Sequence, residues 1–153
     1  MLFRSRNFYL DAEEIIKPAL ENKDIIPQTI IKTATFGNIE KGKSITLKNV
    51  YFDQSSPVLK KESFPELDQL IKILMDNPTL KIEIRGHTDN VGDFNLNVKL
   101  SKDRCDAVIE YLAKNKVEKS RLQAMGRGSL DPISPNNTEE NRQKNRRVEF
   151  VVL

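Results

Sequence analysis

The chain has 153 residues and a formal net charge of +3, and 38% of its residues are hydrophobic and 31% charged. This composition fits one globular domain with a core and an extension, and the net charge is too small to indicate a polyanionic partner. No apolar run reaches the ~18 residues of a transmembrane helix, and residues 1–7 lack the apolar segment of a secretory signal. We therefore expect either a cytosolic protein or a piece excised from a longer exported chain.

Residues 1–43 differ in character from the rest of the sequence. Three isoleucine pairs, separated by prolines and polar residues, predict short strands joined by loops, and they are Ile15-Ile16, Ile25-Ile26 and Ile30-Ile31. Residues 40–43 predict a turn. No motif in this segment indicates a chemistry. We therefore treat residues 1–43 as an N-terminal extension and residues 44–153 as the functional domain.

Clear periodicity begins with residues 45–52, whose alternating apolar side chains predict a strand. Ser63 and Glu66 have the spacing of a capping box, and the apolar residues that follow at helical spacing predict a helix that ends before Pro78. Residues 80–85 alternate between apolar and charged side chains, which predicts a second strand buried on one face.

The second half of the chain predicts one long helix and two further strands. The helix spans residues 95–115, with Ser101 as a candidate internal N-cap that would bend it or separate its first turn. A strand over 122–126, a polar helical turn over 138–144 and a closing strand over 147–153 follow. The order β-α-β-α-β-β predicts an α+β fold, a two-layer sandwich in which helices cover one face of a mixed four-stranded sheet.

The most informative residues are Asp89, just past the second strand, and Arg104, predicted in the first turn of a helix. Arg104 lies in register with the apolar stripe of the helix, where a charged side chain is normally avoided. A carboxylate and a guanidinium that converge on one pocket can bind the two ends of a zwitterion. Backbone N–H groups near residues 100–104, at a helix N-terminus, would add to the binding of a carboxylate. The pair predicts recognition of an amino-acid-like group, although a structural ion pair fits the spacing equally well.

Several other chemistries find little support. His87 is the only histidine and Cys105 the only cysteine, so the three or four ligands of a zinc site are absent, and we expect neither metal nor cofactor. Cys105 lies among apolar residues and is interpreted as a buried thiol rather than a nucleophile. No serine in a nucleophile elbow accompanies His87 and Asp89, which leaves a loop-orienting hydrogen bond as the interpretation of His87.

Two further motifs are weak. Arg142, Lys144, Arg146 and Arg147 form a basic cluster, but no aromatic residues are interleaved for stacking on bases, so solvated and structural roles are favoured over nucleic-acid binding. Gly126-Arg127-Gly128 lacks the third glycine of a dinucleotide-binding loop and predicts a bend.

Six motifs in this order resemble those of the OmpA-like C-terminal domain, the peptidoglycan-associating module shared by OmpA, Pal and MotB. The motifs are Val50-Tyr51-Phe52-Asp53, Gly86-His87-Thr88-Asp89-Asn90-Val91-Gly92, Asn97-x-x-Leu100-Ser101-x-x-Arg104, Gly126-x-Gly128, Pro132-Ile133 and Asn145-Arg146-Arg147-Val148-Glu149. The resemblance covers residues 45–153. It has two departures: Cys105 stands where alanine is usual, and Gln54-Ser55-Ser56 replaces a more usual acidic pair.

The resemblance implies a non-catalytic domain that binds the stem peptide of peptidoglycan through diaminopimelate, whose far end is a free zwitterion. Asp89 matches the family's aspartate for the ligand ammonium, and Arg104 matches its arginine for the ligand carboxylate. The other pocket positions that the resemblance implies are Asn97, Leu100, Phe52, Asp53 and Arg146.

The resemblance also implies a place in the cell. It implies a periplasmic domain at the outer membrane of a Gram-negative bacterium, which tethers that membrane or an envelope complex to the cell wall. Membrane association would then come only through parts outside this chain, and nucleic acid would not be a partner. Residues 1–43 are similar to the end of a small β-sandwich domain. Two alternatives stay open: a cell-wall hydrolase, and a protein-interaction scaffold with a vestigial pocket.

Overall fold

The computed structural model describes residues 30–153. The elements in chain order are β1 (Ile31–Thr33), β2 (Gly37–Ile39), β3 (Ser44–Thr46), α1 (Phe64–Asp76), β4 (Ile82–His87), α2 (Phe94–Lys114), β5 (Leu122–Gly128), α3 (Glu139–Asn145) and β6 (Arg147–Val152). Short 3-10 helices at Lys61–Ser63 and Lys119–Arg121 precede α1 and β5. The isoleucine pairs at 15–16 and 25–26 lie outside the described residues.

The main sheet has four strands in the order β3-β6-β4-β5. β4 and β5 are parallel, whereas β6 runs antiparallel to both of its neighbours, β3 and β4. The central residue Ile84 pairs with Phe150 on one side and with Ala124 on the other. The predicted α+β fold with a mixed four-stranded sheet is therefore confirmed.

The core lies between this sheet and the two long helices. Its fully buried side chains include Leu67, Leu70 and Leu74 of α1, Cys105, Val108 and Leu112 of α2, Ile82 and Ile84 of β4, and Phe150 of β6. Successive side chains of a strand point to opposite faces, so the intervening residues of β4 and β6 lie on the face away from the helices. On that second face β4 and β6 carry mainly polar residues, namely Glu83, Arg85, His87, Arg147 and Glu149, with Val151 as the apolar exception.

The strand predicted over residues 45–52 is shorter in the structure because the chain turns at Asn49. Glu66 accepts hydrogen bonds from the backbone N and from Nδ2 of Asn49, at 3.1 and 3.2 Å. Ser63 Oγ accepts from Tyr51 N at 2.7 Å and donates to Tyr51 O at 3.0 Å. The predicted capping box is therefore wrong, since both side chains hold the segment before α1 instead of its first turn. The predicted helix itself is confirmed.

Ser101 does not interrupt the second helix. α2 is continuous, and its N-cap is Asp93, whose carboxylate accepts from the N–H three residues later at 2.9 Å. Ser101 Oγ accepts instead from Gly128 N at 3.0 Å, which joins α2 to β5. The predicted internal cap is wrong. The N–H groups of residues 100–104 lie inside the helix, so they do not form a helix N-terminus for an anion.

The division expected after Lys43 falls within one packed unit. Ile39 has no exposed surface, and the ring of Phe36 meets that of Phe150 edge to face, with 5.4 Å between centroids. Gly42 N donates to Val152 O at 2.8 Å. Residues 31–43 thus pack on the same core as the rest. Apolar side chains of the hairpin formed by β1 and β2 cover the edge of that core. Within the described part of the chain, no helix combines the length and the apolarity needed to cross a membrane.

Candidate functional site

The loop after β4 fixes the position of Asp89. Thr88 N donates to Gly128 O at 2.9 Å, which extends the pairing of β4 and β5. Oδ1 of Asp89 accepts from Val91 N at 3.0 Å, a short turn typical of aspartate. Gly92 then has φ +94°, a conformation that favours glycine. The carboxylate that results is only 12% exposed.

The ionic partner of Asp89 is Arg146. Arg146 Nη1 donates to Asp89 Oδ2 at 2.5 Å, and its Nη2 contacts the carboxylate of Glu139 at the start of α3. Burial acts to lower the pKa of Arg146, but the hydrogen bonds to Glu139 and Asp89 outweigh it and raise that pKa. The structural ion pair between Asp89 and Arg104, considered above as an alternative, is not formed.

Asn145, the neighbour of Arg146, is fully buried, and the sequence pattern predicts no role for it. Asn145 Oδ1 accepts from Ile133 N at 2.7 Å and from Ser134 N at 3.0 Å. Its Nδ2 donates to Ser134 O and to Asn136 Oδ1, each at 2.9 Å. All four hydrogen bonds hold the loop before α3. No periodic pattern reveals such a role, because three of the four partners are backbone groups.

Arg104 lies half-buried in the middle of α2, and the segment after Val50 surrounds its guanidinium. Nε donates to Ser56 O at 2.9 Å and Nη2 to Asp53 O at 3.3 Å, while Cζ lies 5.0 Å from the ring centroid of Phe52. No carboxylate among residues 30–153 pairs with Arg104. Burial lowers the pKa of Arg104, and the charge of Arg146 lowers it further. The site therefore holds a cation that lacks an anion.

A tight turn presents these carbonyls to Arg104. Phe52 and Leu59 form an isolated β-bridge, Ser56 N donates to Asp53 O at 3.1 Å, and Ser55 has φ +53°. The sequence departure at residues 54–56 therefore leaves the contact with Arg104 intact, since backbone oxygens make it.

The remaining predicted positions lie beside these two centres. Asn97 Nδ2 donates to Val91 O at 2.9 Å and so holds the loop that carries Asp89. Leu100 is partly buried one helical turn before Arg104, on the same side of α2. Phe52 and Asp53 thus cluster with Arg104, while Asn97 and Arg146 cluster with Asp89. The repulsion between Arg104 and Arg146 connects the two clusters electrostatically.

The nucleophile and histidine candidates have other surroundings. Cys105 is fully buried, its Sγ donates to Met125 O at 3.6 Å, and burial raises the pKa of the thiol to about 12. His87 is buried on the opposite face of the sheet, and neither ring nitrogen makes a hydrogen bond within residues 30–153. The interpretation of His87 as a loop-orienting hydrogen-bond donor is therefore wrong.

The glycine motif and the basic cluster have structural explanations. The pairing of β4 with β5 passes from Gly126 to Gly128 and skips Arg127. Strand β5 is therefore irregular at the position where the sequence predicts a bend. Arg142 lies 3.4 Å from Glu139, and Arg147 donates to Glu149 at 2.6 Å.

Comparisons with known proteins concern the whole domain rather than single residues of the site. The model of the OmpA family matches residues 51–146. The chain is 36% identical over 104 residues to the protein named Probable lipoprotein YiaD of Escherichia coli (strain K12). The aligned part covers 68% of this chain and 48% of that protein. It is 34% identical over 109 residues to Peptidoglycan-binding protein ArfA of Mycobacterium tuberculosis (strain ATCC 25618 / H37Rv). The aligned part covers 71% of this chain and 33% of that protein.

A solved structure shows the same fold. The peptidoglycan-associated lipoprotein from Burkholderia pseudomallei superposes with a TM-score of 0.64 at 29% identity, covering 68% of this chain and 88% of that one. The match spans about half of the first curated relative and a third of the second. Because the family model matches more than half of its length, this chain belongs to the OmpA family.

Proposed function

We propose that this domain binds peptidoglycan without catalysing a reaction, and that it does so through the diaminopimelate of the stem peptide. The observation that carries the proposal is the surroundings of Arg104. Its guanidinium is half-buried, held by the carbonyls of Asp53 and Ser56, and lacks an anionic partner within residues 30–153. A ligand carboxylate would supply that anion, and Nη1 is the nitrogen still without a described acceptor.

The ligand ammonium is assigned to Asp89. An ionised carboxylate has about four lone-pair positions, of which Val91 N and Arg146 use two. An ammonium can therefore join Arg146 at Asp89 without displacing it. A zwitterion placed this way brings its carboxylate near both Arg104 and Arg146, which offsets the repulsion between the two guanidiniums.

Anchoring follows from binding of this kind. Relatives named as lipoproteins and as a peptidoglycan-binding protein support a place in the cell envelope. We place the domain at the periplasmic face of the outer membrane of a Gram-negative bacterium, where it tethers that membrane or an envelope complex to the wall. Attachment to a membrane would come through parts outside this chain.

The test uses purified full-length chain and isolated sacculi. Wild type should co-sediment with sacculi, and free diaminopimelate should compete. Arg104→Ala and Asp89→Ala should each lose binding, since removing one half of a desolvated charge pair costs on the order of 2–5 kcal/mol. Lys114→Ala, which removes an exposed charge at the far end of α2, should bind like wild type.

The other outcomes separate the alternatives. If both variants still bind and unfold at the same temperature as wild type, Asp89 and Arg104 do not form the binding site. Release of soluble muropeptides would indicate a hydrolase. Failure of wild type to co-sediment would favour an interaction scaffold with a vestigial pocket.

A further inference from the structure

The face of the sheet opposite the helices carries a polar cleft of about 400 Å³. Strands β4, β5 and β6 and the loop after β5 form it, and its polar lining is Arg85, His87, Arg127, Asp131, Arg147 and Glu149. None of the residues assigned to peptidoglycan binding lines this cleft. It is therefore a second concave surface, separate from the Asp89–Arg104 site.

The charged groups at the floor of the cleft are already satisfied. Glu149 accepts from Ser44 Oγ and from Arg147 Nε, both at 2.6 Å. The other two nitrogens of Arg147 donate to Asn145 O at 3.3 Å and to Asp131 O at 3.1 Å. Each of the three nitrogens of Arg147 thus has an acceptor within the domain, and the pair is neutral as a unit.

His87 is the exception at the floor. Its side chain is only 3% exposed, and neither Nδ1 nor Nε2 makes a hydrogen bond within residues 30–153. Nε2 lies 3.3 Å from Glu149 Oε1, an electrostatic contact that lacks hydrogen-bond geometry. A buried polar group without a partner is costly, so the orphaned imidazole indicates a polar group that enters the cleft.

The rim carries guanidinium donors without an acceptor, beside one carboxylate, Asp131, which already accepts two hydrogen bonds from Arg127. Arg85 uses only Nε, which contacts Glu83 at 2.5 Å. Arg127 uses Nε and Nη2 toward Asp131, at 2.7 and 3.3 Å. Both Nη atoms of Arg85 and Nη1 of Arg127 have no acceptor among the described residues, and both side chains are about one-third exposed. Guanidinium forks of this kind match the oxygens of carboxylates and phosphates.

We propose that this cleft is a second binding site, for a small carboxylate or phosphate held by Arg85 and Arg127 above His87. The partly exposed side chain of Met125 adds an apolar wall that suits a short hydrocarbon portion of the ligand. The volume lies within the range of small-molecule sites, about 300–1,000 Å³. The ligand is an oxyanion because the uncommitted groups at the rim are guanidinium N–H donors.

The sole histidine of the chain makes the test direct, because its imidazole gives a unique NMR signal. Full-length protein is titrated with inorganic phosphate, and separately with acetate, at constant pH and with chloride keeping the ionic strength constant. A saturable displacement of the His87 signals is expected with at least one of them, and the comparison tells phosphate from carboxylate preference. Arg127→Gln and Arg85→Gln should each weaken binding on the order of tenfold.

Two control variants separate the cleft from general charge effects. Lys72→Gln on α1 and Lys102→Gln on α2 each remove an exposed charge from the helical layer. Both should titrate like wild type. No saturable displacement with either anion would overturn the proposal, and so would wild-type titration of Arg127→Gln, a substitution of a side chain that is about one-third exposed. Thermal unfolding of each variant verifies its fold.

Discussion

Arg146 Nη1 lies 2.5 Å from Oδ2 of Asp89, so the carboxylate expected to receive the ligand ammonium is already neutralised by a residue of its own domain. Arg104 is in the opposite state, since its contacts are carbonyls and an aromatic ring. The charge that the site lacks is therefore negative. We infer that the ligand carboxylate contributes more to binding than the ammonium does.

Substitution of Arg104 by lysine tests whether charge alone suffices. The guanidinium donates to Ser56 O and Asp53 O and keeps Nη1 for a ligand, whereas one ammonium cannot reproduce that planar arrangement. We expect Arg104→Lys to bind diaminopimelate at least on the order of tenfold more weakly, measured by calorimetry. Lys114→Arg, the reverse exchange at an exposed position of the same helix, is the control and should bind like wild type. Equal affinity of Arg104→Lys and wild type would show that the geometric argument is wrong.

The buried Glu149 predicts acid sensitivity of the fold. Burial alone would raise the pKa of Glu149, but contacts with His87, Ser44 and Arg147 lower it from 4.5 to about 2. A carboxyl with a depressed pKa in the folded state stabilises the protein above its unfolded pKa, and this stabilisation is lost as the pH falls from about 4.5 to about 2. The contribution is on the order of 3 kcal/mol.

The measurement is denaturant unfolding at a series of pH values. Glu149→Gln should be less stable than wild type at neutral pH, and its stability should fall less between pH 4.5 and 2. Glu118→Gln, at an exposed position, should follow the wild-type curve. Parallel acid profiles of wild type and Glu149→Gln would rule out this origin of the acid sensitivity.

Gly126 predicts a packing limit between β5 and α2. A Cβ at this position would lie 2.5 Å from Lys102 N and 2.6 Å from Val98 O, both backbone atoms of the helix. Gly126→Ala should therefore destabilise the domain by about 1–3 kcal/mol, as overpacking does. Gln123→Ala, at an exposed position of the same strand, should change the free energy of unfolding by less than about 0.5 kcal/mol. Similar effects of the two substitutions in denaturant unfolding would contradict the packing argument.

The sequence predicted the elements whose determinants are local. The apolar period of α1 and α2 and the alternation in β4 gave the right helices and strands, and Arg104 stood out because a charge interrupts an apolar stripe. Pairings across long stretches of sequence were not predictable. Asp89 and Arg146 are 57 residues apart, and only the antiparallel pairing of β4 with β6 brings their elements together.

Polar side chains near helix ends were the other source of error. Ser63 and Ser101 both match local capping patterns, yet each bonds to backbone outside its own helix, at Tyr51 and Gly128 respectively. Tertiary contacts thus replaced the local hydrogen bonds on which the predictions depended. His87 was misjudged for a different reason, since its side chain lies against Glu149 of β6 and makes no hydrogen bond within residues 30–153.

Amidation of the ligand tests the zwitterion itself. Converting the diaminopimelate carboxylate to a carboxamide removes the negative charge that Arg104 lacks, and it places an N–H donor where the guanidinium needs an acceptor. The ammonium contact with Asp89 is unaffected, so we expect affinity to fall markedly without being abolished. Calorimetry with matched free and amidated muropeptides measures the difference.

The same pair of ligands applied to Arg104→Ala identifies which residue distinguishes them. If Arg104 recognises the carboxylate, the variant should bind the free and amidated muropeptides with nearly equal, weak affinity, since the group that senses the difference is gone. A wild-type protein that binds both ligands equally would mean that the site does not recognise the carboxylate. Arg104 would then serve the fold, by tying α2 to the carbonyls of Asp53 and Ser56, rather than the ligand.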